Sequence, residues 1–234
     1  MRDLKIAIIV ADVDEYKPLA ERIERKEYEN YSFLGRKGHK FIIKTDKGSA
    51  TVYSILCGIG MINAAAAAAH FKTIGCDIIL NYGLSGGING VKRGDLMLGN
   101  KFVEHDFDLS GIGYKLCEKP NQEYVYTCDS KLNTLMQSII PDIKLGTAVS
   151  GDRFICDEKV RERLMENFDA MSCDMETAAI AYVCNFGDIP FLALRRISDD
   201  AGDNAADSYR EMNHKAETVL SDIILDFIPF ILNQ

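Results

Sequence analysis

Short apolar segments of strand length, each followed by a polar or glycine-rich turn, constrain the fold of this chain most strongly. Residues 4–11, 76–83 and 190–197 are such segments, and they lack the polar alternation of a half-exposed strand. Strands of this kind are typical of a sheet that is covered on both faces. Helical patterns separate them, so we predict an α/β fold with a central mixed, twisted sheet flanked by helices.

The same alternation continues along the sequence. Further strands are predicted at residues 41–44, 51–56, 95–103 and 144–149, and helices at 15–26, 61–73, 131–139, 158–167, from Glu176 onward and at 208–232. Asp14 is a candidate N-cap of the first helix, and residues 107–128 are predicted to be mostly loop. No repeat with a period of about 20 to 50 residues is present, and no Pro/Ser linker divides the chain. We therefore predict a single domain over residues 1–234.

The charge balance argues against polyanionic partners. The net charge is −8, which disfavours binding to nucleic acid or to an anionic membrane surface. The longest apolar runs are too short for a membrane span, and the N-terminus lacks a signal-peptide layout. We expect a cytoplasmic protein.

The cysteines and histidines do not indicate a metal or cofactor site. The seven cysteines include no CxxC pair, and the four histidines form no HExxH-type ligand pair. Most cysteines adjoin apolar runs, so buried thiols in a reducing compartment are expected. We predict no cofactor and no metal.

Four predicted strands end in turns that carry acids or glycines, at residues 12–15, 57–60, 83–87 and 198–200. In α/β folds such strand ends meet in one crevice, where ligands bind. The two glycine turns let backbone amides approach a ligand, but neither is a GxGxxG motif or a P-loop. Each turn taken alone is equally consistent with a tight turn that binds nothing.

Residues 172–184 add a third acid to this set. Glu176 begins a helix that is rich in alanine, at the positive end of the helix dipole. Taken alone, Glu176 is most simply interpreted as an acid in the first turn of a helix. Taken alone, Glu15 and Asp199 are each most simply interpreted as a helix cap or as an exposed acid in a loop. Clustered together, three carboxylates would need a function or cationic partners.

Seven motifs occur in an order and spacing that resemble those of one family. They are Ile6-Ala7-Ile8-Ile9 with Glu15, Gly58-Ile59-Gly60, Asn81 to Gly87, His105-Asp106, Ser150-Gly151-Asp152-Arg153-Phe154-Ile155, Asp174-Met175-Glu176 and Arg196-Ile197-Ser198-Asp199. The chain resembles the 5'-methylthioadenosine/S-adenosylhomocysteine nucleosidases of the purine nucleoside phosphorylase superfamily. The resemblance covers most of the chain and implies the nucleoside phosphorylase-like fold.

The resemblance implies a role for each matching residue. Asp199 matches the acid that protonates purine N7, and Glu15 matches the base that activates water. The substrate-binding residues that it implies are Ile59, Phe154, Ile155, Met175, Glu176 and Ser198. Ser85 and Gly86 of the second glycine turn, and Asp12 of the first loop, are further substrate-binding candidates.

In detail, Met175 and Glu176 match the ribose-binding pair, and Phe154 matches the ring that stacks on adenine. Ile155 matches a residue whose backbone reads the adenine edge, and Ser198 matches one that holds Asp199. These roles agree with the chemistry of the reaction. A purine leaves readily only when N7 is protonated, which requires an acid. The sugar develops positive charge, which a carboxylate stabilises. An acid on one face of the sugar ring and a base on the other is the arrangement of glycosidases that invert the configuration at the anomeric carbon.

Hydrolysis and phosphorolysis are the main alternatives. The related phosphorylases place an arginine in the first loop and another before the second glycine turn, where this chain has residues 12–15 and Asn81. Phosphate needs cationic donors, and three acids would repel it, so water is favoured as the nucleophile. A sensor that binds nucleosides without cleaving them is a third alternative, which the intact Glu15 and Asp199 disfavour.

Several positions depart from the family pattern and leave the 5' substituent open. Asp12 stands where an apolar methionine is usual, Leu84 where a small or hydroxyl residue is usual, and Ile112 where an aromatic of the neighbouring subunit is usual. Tyr209 is the candidate lid aromatic. An acidic Asp12 would favour a 5'-hydroxyl nucleoside, such as adenosine or inosine, over a thioether. The resemblance also implies a homodimer.

Overall fold

The computed structural model describes residues 2–211 and 215–234. Its strands are β1 (Arg2–Val10), β2 (Tyr28–Phe33), β3 (Arg36–Lys44), β4 (Gly48–Leu56), β5 (Ile78–Gly87), β6 (Leu96–Glu104), β7 (Val125–Thr127), β8 (Lys144–Ser150), β9 (Ala170–Asp174) and β10 (Phe191–Asp199). Its helices are α1 (Val13–Ile23), α2 (Met61–Thr73), α3 (Ser130–Ile139), α4 (Glu158–Phe168), α5 (Thr177–Gly187), α6 (Ala205–Arg210) and α7 (Lys215–Leu232). In the described part of the chain no helix is long and apolar enough to cross a membrane.

The strands form one mixed sheet, as predicted. Strands β4, β1, β5 and β10 are parallel neighbours, and Ile6 of β1 pairs with Val52 on one side and Ile78 on the other. β3 and β2 continue the sheet beyond β4 as antiparallel strands. The parallel strands place their carboxyl ends at one edge, and that edge carries the acids and glycines of the predicted site.

Part of the sheet closes on itself, which the sequence did not predict. β10 pairs with both β5 and β6, β6 pairs with β8, and β8 pairs with β9. β9 returns to β5 through Gly86 and Cys173. These five strands therefore form a small closed barrel, and its closure brings the end of β5 beside the start of α5.

Two apolar cores cover the two faces of the sheet. Along β1, Ile6 and Ile8 face the cluster that includes α7, whereas Ala7 and Ile9 face the cluster that includes α2 and α5. This alternation explains the continuous apolar segment, because both faces of β1 are buried. Helices α2 and α5 present many alanines to each other, so they pack closely.

Among the predicted boundaries that differ from the structure, three bear on the site. Residues 84–87 were expected to be a turn, but they belong to β5, which continues as far as its pairing with β9. The N-cap of α1 is Asp12 rather than Asp14, because the Asp12 carboxylate accepts a hydrogen bond from the Asp14 amide at 2.8 Å. The helix expected at 208–232 is two helices, α6 and α7, and residues 212–214 lie outside the described residues.

Candidate active site

A cavity of about 400 Å³ lies at the carboxyl edge of the parallel strands. It is lined by ten of the eleven predicted site residues, namely Asp12, Glu15, Ile59, Ser85, Gly86, Phe154, Met175, Glu176, Ser198 and Asp199, together with Ala11, Leu84, Asp174 and Tyr209. Closure of the barrel brings these distant segments together.

Glu15 lies in the first turn of α1 and is almost completely buried, with 7% of its surface exposed. Its Oε1 atom accepts a hydrogen bond from the Leu84 amide at 2.9 Å. Burial raises the pKa of Glu15 to about 8, and the Leu84 hydrogen bond opposes this shift. A Cβ atom at Gly83 would lie 2.8 Å from Oε2 of Glu15, so only glycine lets β5 pass so close to this carboxylate.

Glu176 immediately precedes α5, at its N-cap position. Its Oε1 atom accepts a hydrogen bond from the Gly60 amide at 2.9 Å, which gives the first glycine turn a specific task. Gly60 has a φ of 106°, a conformation that favours glycine. Burial, followed by the nearby charge of Asp174, raises the pKa of Glu176 to about 7.

Asp199 is the last residue of β10, and it is buried. Ser198 Oγ lies 2.6 Å from one of its carboxylate oxygens, and the Ala201 amide donates to the other at 2.8 Å. Burial raises the pKa of Asp199, and these two hydrogen bonds oppose the shift. The carboxyl is thus held in a fixed orientation and favours its proton more than an exposed aspartate does.

A buried ion pair lies next to the site, and its cation, Arg195, was not among the predicted site residues. Arg195 Nε donates to Asp174 at 2.9 Å, and the same guanidinium contacts Asn81 and Thr177. The other Asp174 oxygen accepts from the amides of Glu176 and Thr177 at 3.1 and 3.0 Å. The sequence does contain an indication of this pair, because Arg195 lies inside an apolar strand and a buried arginine requires an acidic or polar partner.

Two aromatic side chains form one wall of the cavity. Phe154 and Tyr209 meet edge to face, with ring centroids 5.6 Å apart. Tyr209 therefore lines the cavity, and its role as a lid stays a prediction. Ile112 is absent from the described lining and is 73% exposed.

Ile155 is the predicted site residue whose side chain does not line this cavity. It is buried in a separate apolar cluster with Leu164 and lines a neighbouring cavity. The resemblance implies a role for the Ile155 backbone rather than its side chain, and that role stays a prediction.

The charges of the cavity favour water over phosphate as a reactant. Asp12, Glu15, Asp174, Glu176 and Asp199 contribute to the lining, and the described lining residues include no lysine or arginine. The nearby Arg195 is buried and already donates hydrogen bonds to Asp174, Asn81, Thr177 and the Leu194 carbonyl. A phosphate dianion would thus lack cationic donors here.

Comparison with known proteins agrees with the fold and with the cavity. The family model described as "Phosphorylase superfamily" matches residues 5–229. A 5'-methylthioadenosine/S-adenosylhomocysteine nucleosidase of Staphylococcus carnosus is 34% identical over 95% of this chain and 98% of its own length. An aminodeoxyfutalosine nucleosidase of Campylobacter jejuni is 29% identical over 95% of this chain and 97% of its own.

A crystal structure of a mutant Helicobacter pylori nucleosidase, with 5'-methylthioadenosine in the active site, superposes with a TM-score of 0.90. It is 25% identical and covers 97% of this chain and 98% of its own. The fold and the family match thus define an enzyme of the phosphorylase superfamily that acts on N-glycosyl bonds. Within it, the chain belongs to the 5'-methylthioadenosine/S-adenosylhomocysteine nucleosidase family.

Proposed function

We propose that the protein hydrolyses the N-glycosidic bond of 5'-methylthioadenosine and S-adenosylhomocysteine and releases adenine. The observation that carries this proposal is the cavity in which Glu15, Glu176 and Asp199 converge without a described lysine or arginine in its lining. Such a site suits a neutral or cationic sugar and water, rather than an anionic co-substrate.

Asp199 is proposed as the general acid. A proton delivered to purine N7 makes the base a neutral leaving group, so Asp199 must carry a proton near neutral pH. The raised pKa of this buried carboxyl supports the assignment. Ser198 and the Ala201 amide keep it oriented while it donates.

Glu15 is proposed as the base that takes a proton from the attacking water. A pKa of about 8 gives a carboxylate with strong affinity for that proton. Its free oxygen, Oε2, is not used by the Leu84 amide and is available for water. Attack on the face opposite the departing base would invert the configuration at the anomeric carbon.

Glu176 is proposed to hold the ribose hydroxyls. Its Oε1 atom is fixed by the Gly60 amide, which leaves Oε2 to accept from the sugar. Its negative charge also stabilises the positive charge that develops on the ribose. Met175 and Ile59 would contact the sugar, Phe154 would stack on the adenine, and Ser85 and Gly86 would border it.

An aminodeoxyfutalosine-type nucleoside is a second candidate substrate, because the Campylobacter jejuni relative of that name matches over nearly the whole chain. Asp12 is proposed to influence this choice. It lines the cavity, and one of its oxygens already accepts the Asp14 amide, so the other can accept from a hydroxyl of the 5' substituent.

A substrate panel with and without phosphate tests the proposal. We expect adenine release from 5'-methylthioadenosine without phosphate, and kcat/KM values across 5'-thioether, 5'-hydroxyl and futalosine-type nucleosides then rank the 5' groups. Cleavage restricted to one of the other two groups would remove 5'-methylthioadenosine as the substrate. Asp12→Met is expected to shift the ranking towards the thioether.

We also propose an oligomeric state and a cellular location for this protein. The chain forms a single domain over residues 1–234 and a cytoplasmic homodimer. Ile62 is 81% exposed on α2, and Tyr182 and Phe186 are 39% and 50% exposed on α5, which gives an apolar face suited to a second copy. Light scattering should give twice the chain mass of 26.1 kDa.

A further inference from the structure

A second cavity, of about 210 Å³, is lined in part by Arg153 and Ile155, the two chain neighbours of the active-site residue Phe154. Its floor is apolar and contains Ile155, Val160, Leu164 and Phe168. The proposed catalytic residues do not line it, so the function derived above leaves it unexplained.

The charged part of the lining has more cations than acids. Arg153 and Arg163 both line this cavity, and Asp106 is the acid among the described lining residues. Asp106 already accepts a hydrogen bond from the Asp152 amide at 2.9 Å. Within the described ranges, neither guanidinium forms an ion pair with a carboxylate. Two unpaired guanidinium groups beside a cavity are suited to an anion.

His105 is a further polar residue of the lining, but its unpaired nitrogen does not face a ligand. It lines the cavity, and its Nε2 atom is buried without a hydrogen-bond partner in the described structure. Buried polar atoms normally have a partner, and a neutral imidazole can donate from this nitrogen. This nitrogen is closed off from the cavity, however, and lies 2.7 Å from the position of a Cβ atom at Gly151, so a ligand in the cavity would not contact it.

The two cavities share one short segment of the chain. Phe154 lines the active-site cavity, and its neighbour Ile155 lines the second cavity. Residues 153–156 have no helical or strand hydrogen bonding. A ligand that presses on Ile155 or orders Arg153 would therefore change the position of the ring proposed to stack on adenine.

We propose that the second cavity binds a small organic carboxylate with an apolar body, and that its occupancy alters substrate binding through the Arg153–Phe154–Ile155 segment. The apolar body lies on Leu164 and Phe168, and the carboxylate is held by Arg153 and Arg163. The effect on the substrate rests on the proposed function, whereas binding to the cavity does not.

Benzoate is a suitable probe, with the uncharged benzamide as its control. Titration calorimetry of the whole protein, with the active site saturated by adenine, should give a benzoate Kd of about 10 mM or tighter. Benzamide should bind at least several-fold more weakly, because it lacks the charge that the guanidinium groups recognise. Failure of benzoate to bind, equal binding of benzamide, or competition with adenine would each overturn the site.

Matched variants locate the binding. Arg163→Gln and Arg153→Gln should each weaken benzoate binding by about tenfold. Lys159→Gln is the control, because it removes an exposed charge from α4, the helix that carries Arg163, and it should leave benzoate binding unchanged. Unaltered binding in both arginine variants would refute the assignment. All three side chains are exposed, so these variants should retain the wild-type melting temperature.

The effect of the second cavity on substrate binding is measured separately, by enzyme kinetics. Saturating benzoate should change KM for the nucleoside about two-fold or more in the wild type and leave it unchanged in Arg163→Gln. If benzoate binds but does not change KM, the proposed effect on substrate binding is wrong, whereas the proposed binding site remains. Because calorimetry does not require turnover, an inactive protein that still binds benzoate would separate failure of the proposed function from failure of this inference.

Discussion

At the scale of single residues, the three acids differ in what holds them. Glu15 is fixed by a strand amide, Glu176 by the amide of a glycine turn, and Asp199 by a serine hydroxyl and a loop amide. Burial is the largest cause of the raised pKa in all three. The same desolvation therefore suits both the proposed proton donor, Asp199, and the proposed proton acceptor, Glu15.

Replacing the proposed acid is the first test at this scale. Asp199→Asn should lower kcat by about 100-fold to 10,000-fold, because the amide cannot donate a proton to purine N7 in the same way. Asp200→Asn is the matched control, since it makes the same change at the exposed next residue. Steady-state rates of adenine formation measure both. Wild-type turnover in Asp199→Asn would remove this residue from the mechanism.

The pH profile tests the proposed base. Glu15 must be ionised to take a proton from water, and its pKa in the free protein is about 8. We expect kcat/KM to decrease as the pH falls below about 8, with a contribution from Glu176 near pH 7. A profile that stays flat down to about pH 5, where an ordinary glutamate begins to titrate, would contradict the role of Glu15.

At the scale of elements, β5 positions Glu15 through its backbone. Gly83→Ala would place a methyl group 2.8 Å from Glu15 Oε2, so this carboxylate must move. We expect kcat to fall about tenfold or more with a small loss of stability, because the displaced atom is the end of a flexible side chain. Gly111→Ala, where a Cβ atom meets nothing within 4 Å, is the control. Equal activity in both variants would contradict this account.

The start of α5 depends on the buried pair of Arg195 and Asp174. Arg195→Leu leaves the Asp174 carboxylate buried without its cation, which should cost about 3–5 kcal/mol of unfolding free energy. The exposed pair of Arg210 and Asp207 offers the control, and Arg210→Leu should cost less than about 1 kcal/mol. Urea denaturation measures both.

A double variant separates loss of the pair from loss of packing. Arg195→Leu combined with Asp174→Asn should recover part of the stability lost in Arg195→Leu, because the buried charge is removed as well. Additive losses from the two changes would show that the pair is not the cause.

The elements with a strong local pattern were the ones that the sequence predicted. Helix α2 has the predicted bounds, and β1 was recognised because both of its faces are apolar. Strand β2 is largely polar and exposed, and β9 spans five residues, so neither had a clear period. The position of Arg195 against Asp174 depends on pairing between distant strands, which no local pattern encodes.

At the scale of the whole molecule, closure of the barrel decides which strand ends meet. The acids were visible in the sequence, and their convergence followed from the parallel order of the strands and from the family resemblance. The second cavity was not foreseen, because it is defined by the packing of α4 against the segment after β8.

Stability should depend on pH through the buried Glu15. Burial raises its pKa from 4.5 to about 8, so the folded protein binds this proton more tightly than the unfolded chain does. The free energy of unfolding therefore decreases as the pH rises between these values, and Glu15→Gln should remove this contribution. We expect Glu15→Gln to be more stable than the wild type at pH 9, by thermal melting. A lower melting temperature at pH 9 would contradict the buried, proton-favouring environment.

The most direct test of the central claim is adenine release from 5'-methylthioadenosine in buffer free of phosphate, with the sugar product identified by mass. A hydrolase should release adenine at the same rate with or without phosphate, should yield the free sugar, and should lose this activity in both Glu15→Gln and Asp199→Asn. Turnover that requires phosphate and yields a sugar 1-phosphate would contradict the account.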